Sequence, residues 1–312
     1  MYSLPYAKIF KQAYELAKNN RFLWLFGLFL VWGVVISNAL SFDFTNPKYA
    51  PQRQMIWEWV IQNIWQNKSV LVFVVLVIVT LVILFFKAKA GLIIAVKAIL
   101  DKQQTSFVKA FKTAAFFYPR VLGLNLLTGA IMLFVGLVLG APIYYLSSQG
   151  LDFRAGLLTF LAILIFVPVS IILGFINSLG SVSIVIHDLK IGEAFNQGLG
   201  LSLKFWPTLF VFMVYLVLIS AVIFIASVGA AVLIALPFVI LANLIYDNGG
   251  LAVSFLVGGT GGLLGLIVFL TLQSAVISFH QTAWILALQE LVKPIKTKEE
   301  AVVAVPETAI SD

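Results

Sequence analysis

An all-α fold, a bundle of membrane-spanning helices, is what this sequence predicts, and three observations predict it. Apolar residues fill 62% of the 312 positions and charged residues 11%, against about 45–50% and about 25% in a soluble domain. A chain of this size cannot hide that much apolar surface in a core and still cover it with polar residues. The apolar residues also fall in runs long enough to cross a hydrocarbon layer of about 30 Å at about 1.5 Å per residue. Finally, lysine and arginine divide unequally between the connections.

The chain opens on an amphipathic helix. Tyr6, Ile9, Phe10, Ala13, Tyr14 and Ala17 recur at helical spacing, with Lys8, Lys11, Glu15 and Lys18 opposite or flanking. The first apolar run, 22–40, is longer than the core of a secretion signal and lacks a small-x-small cleavage site, so it is expected to be a true first span. In the next connection, 56-IWEWVIQNIW-65 sets Trp57, Val60, Ile61, Ile64 and Trp65 on one face. That pattern fits a short helix at the headgroups with Trp anchors, or equally an aromatic extension of the second span.

The second run covers 69–86 with an extension to 100, and the third, 121–145, follows a second amphipathic stretch of Phe107, Phe111, Ala114 and Tyr118. Thr105 and Ser106 are its cap candidates, and Pro119 is placed at the first turn of the span. The fourth run is 156–186. A third cytoplasmic stretch around Phe195 is a weaker helix because of Gly198 and Gly200, and Pro207 opens the fifth run.

The last runs, 208–246 and 251–289, would each make a helix of about 58 Å, roughly twice the hydrocarbon thickness. They must project beyond the bilayer or bend near Pro237 and 258-GGTGG-262. Six spans are expected, with eight the alternative. From Lys293 the sequence KPIKTKEEAVVAVPETAISD has Pro294, mixed charge and no apolar period, so 293–312 reads as a disordered cytoplasmic tail.

Sixteen lysines and arginines fall on one side of this arrangement and four on the other, the four being Lys48, Arg53, Lys68 and Arg154. Positive charge marks the cytoplasmic side, so both termini are placed there and the number of spans must be even. The same topology accounts for the net charge of +7 without nucleic acid. The expected partner is the lipid bilayer; the basic stretch 87–120 can also attract anionic headgroups, although the positive-inside topology already explains its charge.

The chain also resembles itself. Phe10-Lys11-Gln12-Ala13, Phe111-Lys112-Thr113-Ala114 and Phe195-Asn196-Gln197-Gly198 each precede a span. GLIIAVK at 91–97, SVSIVIH at 181–187 and SAVISFH at 274–280 align without a gap near the cytoplasmic ends of even-numbered spans. A single transmembrane domain, 1–292, therefore reads as three units, 1–103, 104–189 and 190–292, each an amphipathic helix and a helical hairpin.

The repeat superposes Lys97, His187 and His280. Brought together, they would form a basic ring for a lipid phosphate near the inner leaflet; apart, they are a snorkelling lysine and two histidines bonded to neighbouring helices. Metal binding is not expected from two histidines without a third ligand at metal spacing, and there is no cysteine. Glu15, Asp43, Glu58, Asp101, Asp152, Asp188, Glu193, Asp247 and Glu290 all fall in connections or at span ends, so no carboxylate is available deep in a span for proton coupling. Neither a carboxylate pair, a Ser/His/Asp set nor a phosphate-binding glycine loop occurs, so no catalytic residue, cofactor or enzymatic activity is expected.

Asn125, Thr128, Asn177, Ser178 and Asn243 are uncharged polar residues within spans, best read as interhelical ties. Gly136/Gly140, Gly258/Gly262 and Gly261/Gly265 have the spacing that lets helices approach.

With YAKIFKQAYELAKNNRFLWLFGLFL at the start, the Phe-Lys-x-Ala signatures, and SFHQTAWILALQELVKP near the end, the chain resembles a loose group of prokaryotic multi-span proteins. That group includes the YciC-like proteins and the membrane domain attached to some glycerophosphodiester phosphodiesterases. The resemblance implies an all-helical six-span fold and little more; the expected location is a prokaryotic cytoplasmic membrane. Phosphodiesterase activity is not implied, because no such catalytic domain is expected here. Two functions are expected in turn: a non-enzymatic scaffold, partner-binding or envelope-maintenance protein, or a transporter or lipid-handling protein that meets an anionic headgroup at Lys97, His187 and His280.

Overall fold

Helices form where the apolar periods lie. The computed structural model describes residues 4–40, 54, 55, 58, 67–247 and 250–303, with side chains to Trp32, Tyr246 and Val292 in the three long stretches. In chain order they are α1 (Tyr6–Asn19), α2 (Phe22–Leu40), α3 (Lys68–Leu100), α4 (Phe107–Ser148), α5 (Asp152–His187), α6 (Ile191–Lys204), α7 (Trp206–Asp247) and α8 (Leu251–Val303). Five of them, α3, α4, α5, α7 and α8, are long and apolar enough to cross a membrane. Most of the Trp-bearing segment 56–65 lies outside the described residues.

Helix ends follow local chemistry. The Asn67 side chain accepts from the Val70 N–H and the Ser106 hydroxyl from the Lys109 N–H, so of the two cap candidates before α4 it is Ser106 that caps. At α6 the Glu193 carboxylate reaches back to the Lys190 N–H. Helix α5 ends at Asp188, whose φ of 55° is left-handed, a conformation that asparagine, aspartate and glycine adopt at least cost.

Two expectations about breaks are corrected. Pro119 does not open a helix: it lies inside α4, which starts twelve residues earlier and runs unbroken to Ser148. Its ring removes one backbone hydrogen bond without ending the helix. Nor do Pro237 and the glycine cluster break the last two runs, so of the two alternatives the bend does not occur there; α7 and α8 are continuous. Helix α8 also continues past Pro294 to Val303, over part of the segment read as a tail; residues 304–312 lie outside the described residues.

The core occupies one end of this arrangement. Its members are the apolar face of α1 (Ile9, Ala13, Ala17), the start of α2 (Leu23, Phe26), residues 88–96 of α3, 110–124 of α4, 175–185 of α5, Ala194 and Leu201 of α6, 209–216 of α7 and 279–291 of α8. These pieces form a hub. Rings lock it: Phe10 stacks on Phe212 at 5.3 Å, Phe26 meets Phe107 at 4.6 Å, and Trp284 stands edge-on to Phe212 at 5.0 Å. Beyond the hub the helices continue as hairpins whose outer faces carry exposed Phe73, Leu133, Phe160, Ile225, Leu233 and Phe255.

Small residues allow the tightest crossings. A Cβ on Gly27 of α2 would collide with the backbone carbonyl of Ser274 on α8, and one on Gly198 of α6 would sit 3.0 Å from the Ile176 carbonyl oxygen of α5. Glycine at 198 is therefore a packing requirement and not only a weak point in the helix. Of the spaced pairs, Gly261 and Gly265 both press on α7, at Phe238 and Ala231, whereas Gly140 and Gly262 face open space.

Candidate functional site

The three basic residues that the repeat superposes lie on α3, α5 and α8. Lys97, near the end of α3, donates its Nζ to the carbonyl of Ile186 on α5 at 2.9 Å. It is thereby held beside His187, the next residue of α5. His280 lines a separate groove with Ser220, Ala221 and Phe224 of α7 and Gln273 of α8, and that groove includes neither Lys97 nor His187. Lys97 is thus committed to a helix end, satisfying one of the carbonyls that the last turn of α5 leaves unpaired.

A more deeply placed cation is Lys89, only 8% exposed, on α3. Its Nζ reaches the Oδ1 of Asn177 on α5 at 3.4 Å. Asn177 in turn donates through Nδ2 to the Oδ1 of Asn125 on α4 at 2.7 Å. Asn125 passes its own N–H to the Val121 carbonyl, and Ser181 donates to the Asn177 carbonyl at 2.6 Å. Three helices are joined by one polar chain. The acceptor facing the ammonium is a neutral amide, and among the described residues Lys89 forms no ion pair with a carboxylate. A buried cation must be hydrogen-bonded or it carries the full cost of lost hydration.

The interhelical ties read from Asn125 and Asn177 are therefore present, but their third member was missed. Lys89 stands in the basic run 87–120, where its sequence neighbours Lys87 and Lys97 give no sign that it alone is buried. The signal lay beside it: Ala88, Ala90 and Gly91 are the small residues of a close helix crossing, and Gly91 packs directly under the Phe26 ring.

The polar chain, the Gly27–Ser274 crossing and the Phe26–Gly91 contact mark the boundary of the hub. Beyond it α3 runs on to Lys68, α4 from Asn125 to Ser148, α5 back to Asp152 and α8 back from Ser274 to Leu251. Each of these distal pieces is about 32–38 Å long at about 1.5 Å per residue.

At the hub's other side the Arg120 guanidinium meets the Asp188 carboxylate at 2.6 Å and stacks over the Phe116 ring. This pair ties α4, fourteen residues into the helix, to the end of α5. Tyr6 donates its hydroxyl to the Thr208 carbonyl at 3.2 Å, joining α1 to α7. Partial burial, with Tyr215 beside it, raises the Tyr6 phenol above its ordinary pKa.

An apolar recess of about 590 Å³ lies between α1, the start of α2, and the α7/α8 hairpin. Phe10, Tyr14 and Ala17 form one wall, Ile219 and Ile223 the second, and Leu272, Ala275, Val276 and Phe279 the third. Lys18 and Arg21 stand at one end, beside Trp24, whose indole N–H already donates to the Ala17 carbonyl at 2.8 Å. Among the described residues no group of three His, Cys, Asp or Glu side chains is arranged to hold a metal. Comparisons with protein-family models, with curated proteins and with solved structures found no match.

Proposed function

We propose that this chain is a non-enzymatic scaffold of a prokaryotic cytoplasmic membrane: three hairpin units supply six spans, with α2 as the sixth, and a packed hub faces the cytoplasm with both termini. The observation that carries the reading is how the interior polar groups are used. Lys89, Asn125 and Asn177 bind one another, Lys97 holds the end of α5, and Ser278 of α8 donates to the Leu23 carbonyl of α2 at 2.9 Å. Each of these five side chains joins one helix to another, while among the described residues Ser183, Gln197 and Gln273 keep a buried side-chain atom without a partner.

The element order supports three units. Separate 14-residue helices, α1 and α6, precede the first and third hairpins, and in the second the same role falls to residues 107–118 of α4. The side of the hub that carries Lys8, Lys11, Lys102, Lys109 and Lys112 fits the cytoplasm by the positive-inside rule. The distal pieces match a hydrocarbon layer of about 30 Å.

The transporter reading makes the opposite prediction in one assay. The purified protein is reconstituted in liposomes that contain fluorescent phosphatidylglycerol, and flip-flop is followed by dithionite quenching. Bleaching should stop at the outer-leaflet fraction, as in empty liposomes; quenching that proceeds to the inner leaflet at a protein-dependent rate would replace the scaffold with a lipid translocator.

A further inference from the structure

We infer that the recess between α1, α2 and the α7/α8 hairpin binds one anionic phospholipid, with an acyl chain along Phe10, Ile219, Leu272 and Phe279 and its phosphate between Lys18 and Arg21. The site goes beyond the scaffold reading and is separate from Lys97, His187 and His280.

Its chemistry is that of an amphiphile with a negative head. The volume of about 590 Å³ lies within the roughly 300–1,000 Å³ of pockets that take a small molecule. Its walls are almost wholly hydrocarbon, and the Trp24 N–H among its lining groups is already used. The cations are gathered at one end: Phe10 is eight residues from Lys18 on the same helix, about 12 Å away. Among the described residues neither Lys18 nor Arg21 is paired with a carboxylate; the Lys18 ammonium rests over the Tyr14 ring at 5.7 Å. Glu15, the acidic residue of α1, does not line the recess.

Charge complementarity selects among occupants. Free phosphate would satisfy the cations and leave the apolar walls bare, and a neutral lipid would do the reverse. An anionic phospholipid satisfies both, and α2 begins at Phe22, next to Arg21, where an apolar helix leaves the headgroup region.

The test uses the full chain, freed of native lipid in a neutral detergent, with binding read by native mass spectrometry. The probes are phosphatidylglycerol, phosphatidylcholine with the same acyl chains, and inorganic phosphate. Phosphatidylglycerol should bind at least about tenfold more tightly than phosphatidylcholine, and millimolar phosphate should not displace it. Lys18→Gln with Arg21→Gln should weaken phosphatidylglycerol by about thirtyfold, from about 1 kcal/mol for each cation near a headgroup, and leave phosphatidylcholine unchanged. Ala275→Trp, which fills the recess, should weaken both lipids. Lys97→Ala with His187→Ala and His280→Ala should weaken neither. Equal affinity for the two lipids, displacement by phosphate, or undiminished phosphatidylglycerol binding in the Lys18/Arg21 variant or in Ala275→Trp would overturn the assignment. So would loss in the triple variant alone. Lipid flip-flop is a separate readout, so this site and the scaffold reading fail independently.

Discussion

At the scale of single residues, Lys89 is the informative side chain. A buried ammonium facing only an amide oxygen is held by a hydrogen bond and not by a counter-charge, so the pair has asymmetric sensitivity. Asn177→Ala strands the cation and also removes the bond to Asn125; it should cost about 1–3 kcal/mol. Lys89→Met keeps the volume and removes the charge, and should be neutral or stabilising. Combined, the two substitutions should recover much of the loss, because the stranded charge is gone. Thermal unfolding of the four proteins in detergent checks this, and strictly additive losses would mean that Lys89 and Asn177 are not coupled. By contrast Asp188→Asn, at a surface pair whose acidic partner is 66% exposed, should change stability by less than about 1 kcal/mol. The same residues show the limit of sequence reading: amides within spans announce their bonding need, but a lysine in a basic run is indistinguishable from its solvated neighbours until helix register turns it inward.

At the scale of elements, the helices themselves were largely legible, because their apolar periods and long apolar runs leave no other way to satisfy the backbone in lipid. Breaks were not legible. Pro119 resembles a first-turn proline, but the helix reaches it already formed, and neither Pro237 nor the glycine cluster has a reason to break a helix packed along its length against a partner. Crossings were read only in part, since spacing identifies small residues but not which of them meet another backbone. Gly27 belongs to no spaced pair, yet a Cβ there would collide with the α8 backbone at Ser274. Gly27→Ala should therefore cost about 1–3 kcal/mol as an overpacked site. Gly140→Ala, placed in open space on α4, should be neutral or stabilise slightly by raising helix propensity. Unfolding midpoints of the two variants in one detergent give the comparison, and equal midpoints would remove Gly27 from the α2/α8 contact.

At the scale of the whole molecule, the length of α7 and α8 decides how the protein sits. Helices of 42 residues or more cannot lie wholly in a layer of about 30 Å without a steep tilt. The hub offers a physical alternative: its end of each helix is covered by α1, α6 and the other helices, so that end does not need lipid, whereas the distal faces expose apolar side chains that do. On the orientation proposed above, the plane through Lys89, Asn125, Asn177 and the Gly27–Ser274 crossing is expected at the cytoplasmic interface. The absence of cysteine makes this testable with single introduced thiols. Thr113, exposed on α4, lies twelve residues to the hub side of Asn125, about 18 Å above the plane, and Leu137, 61% exposed, lies as far on the other side. In inside-out vesicles Thr113→Cys should react with a membrane-impermeant maleimide and Leu137→Cys should not, while in right-side-out cells Gln149→Cys, at the distal end of α4, should be the one that reacts. Protection of Thr113→Cys to the same degree as Leu137→Cys would place the hub inside the bilayer; labelling of Thr113→Cys from outside the cell would invert the orientation.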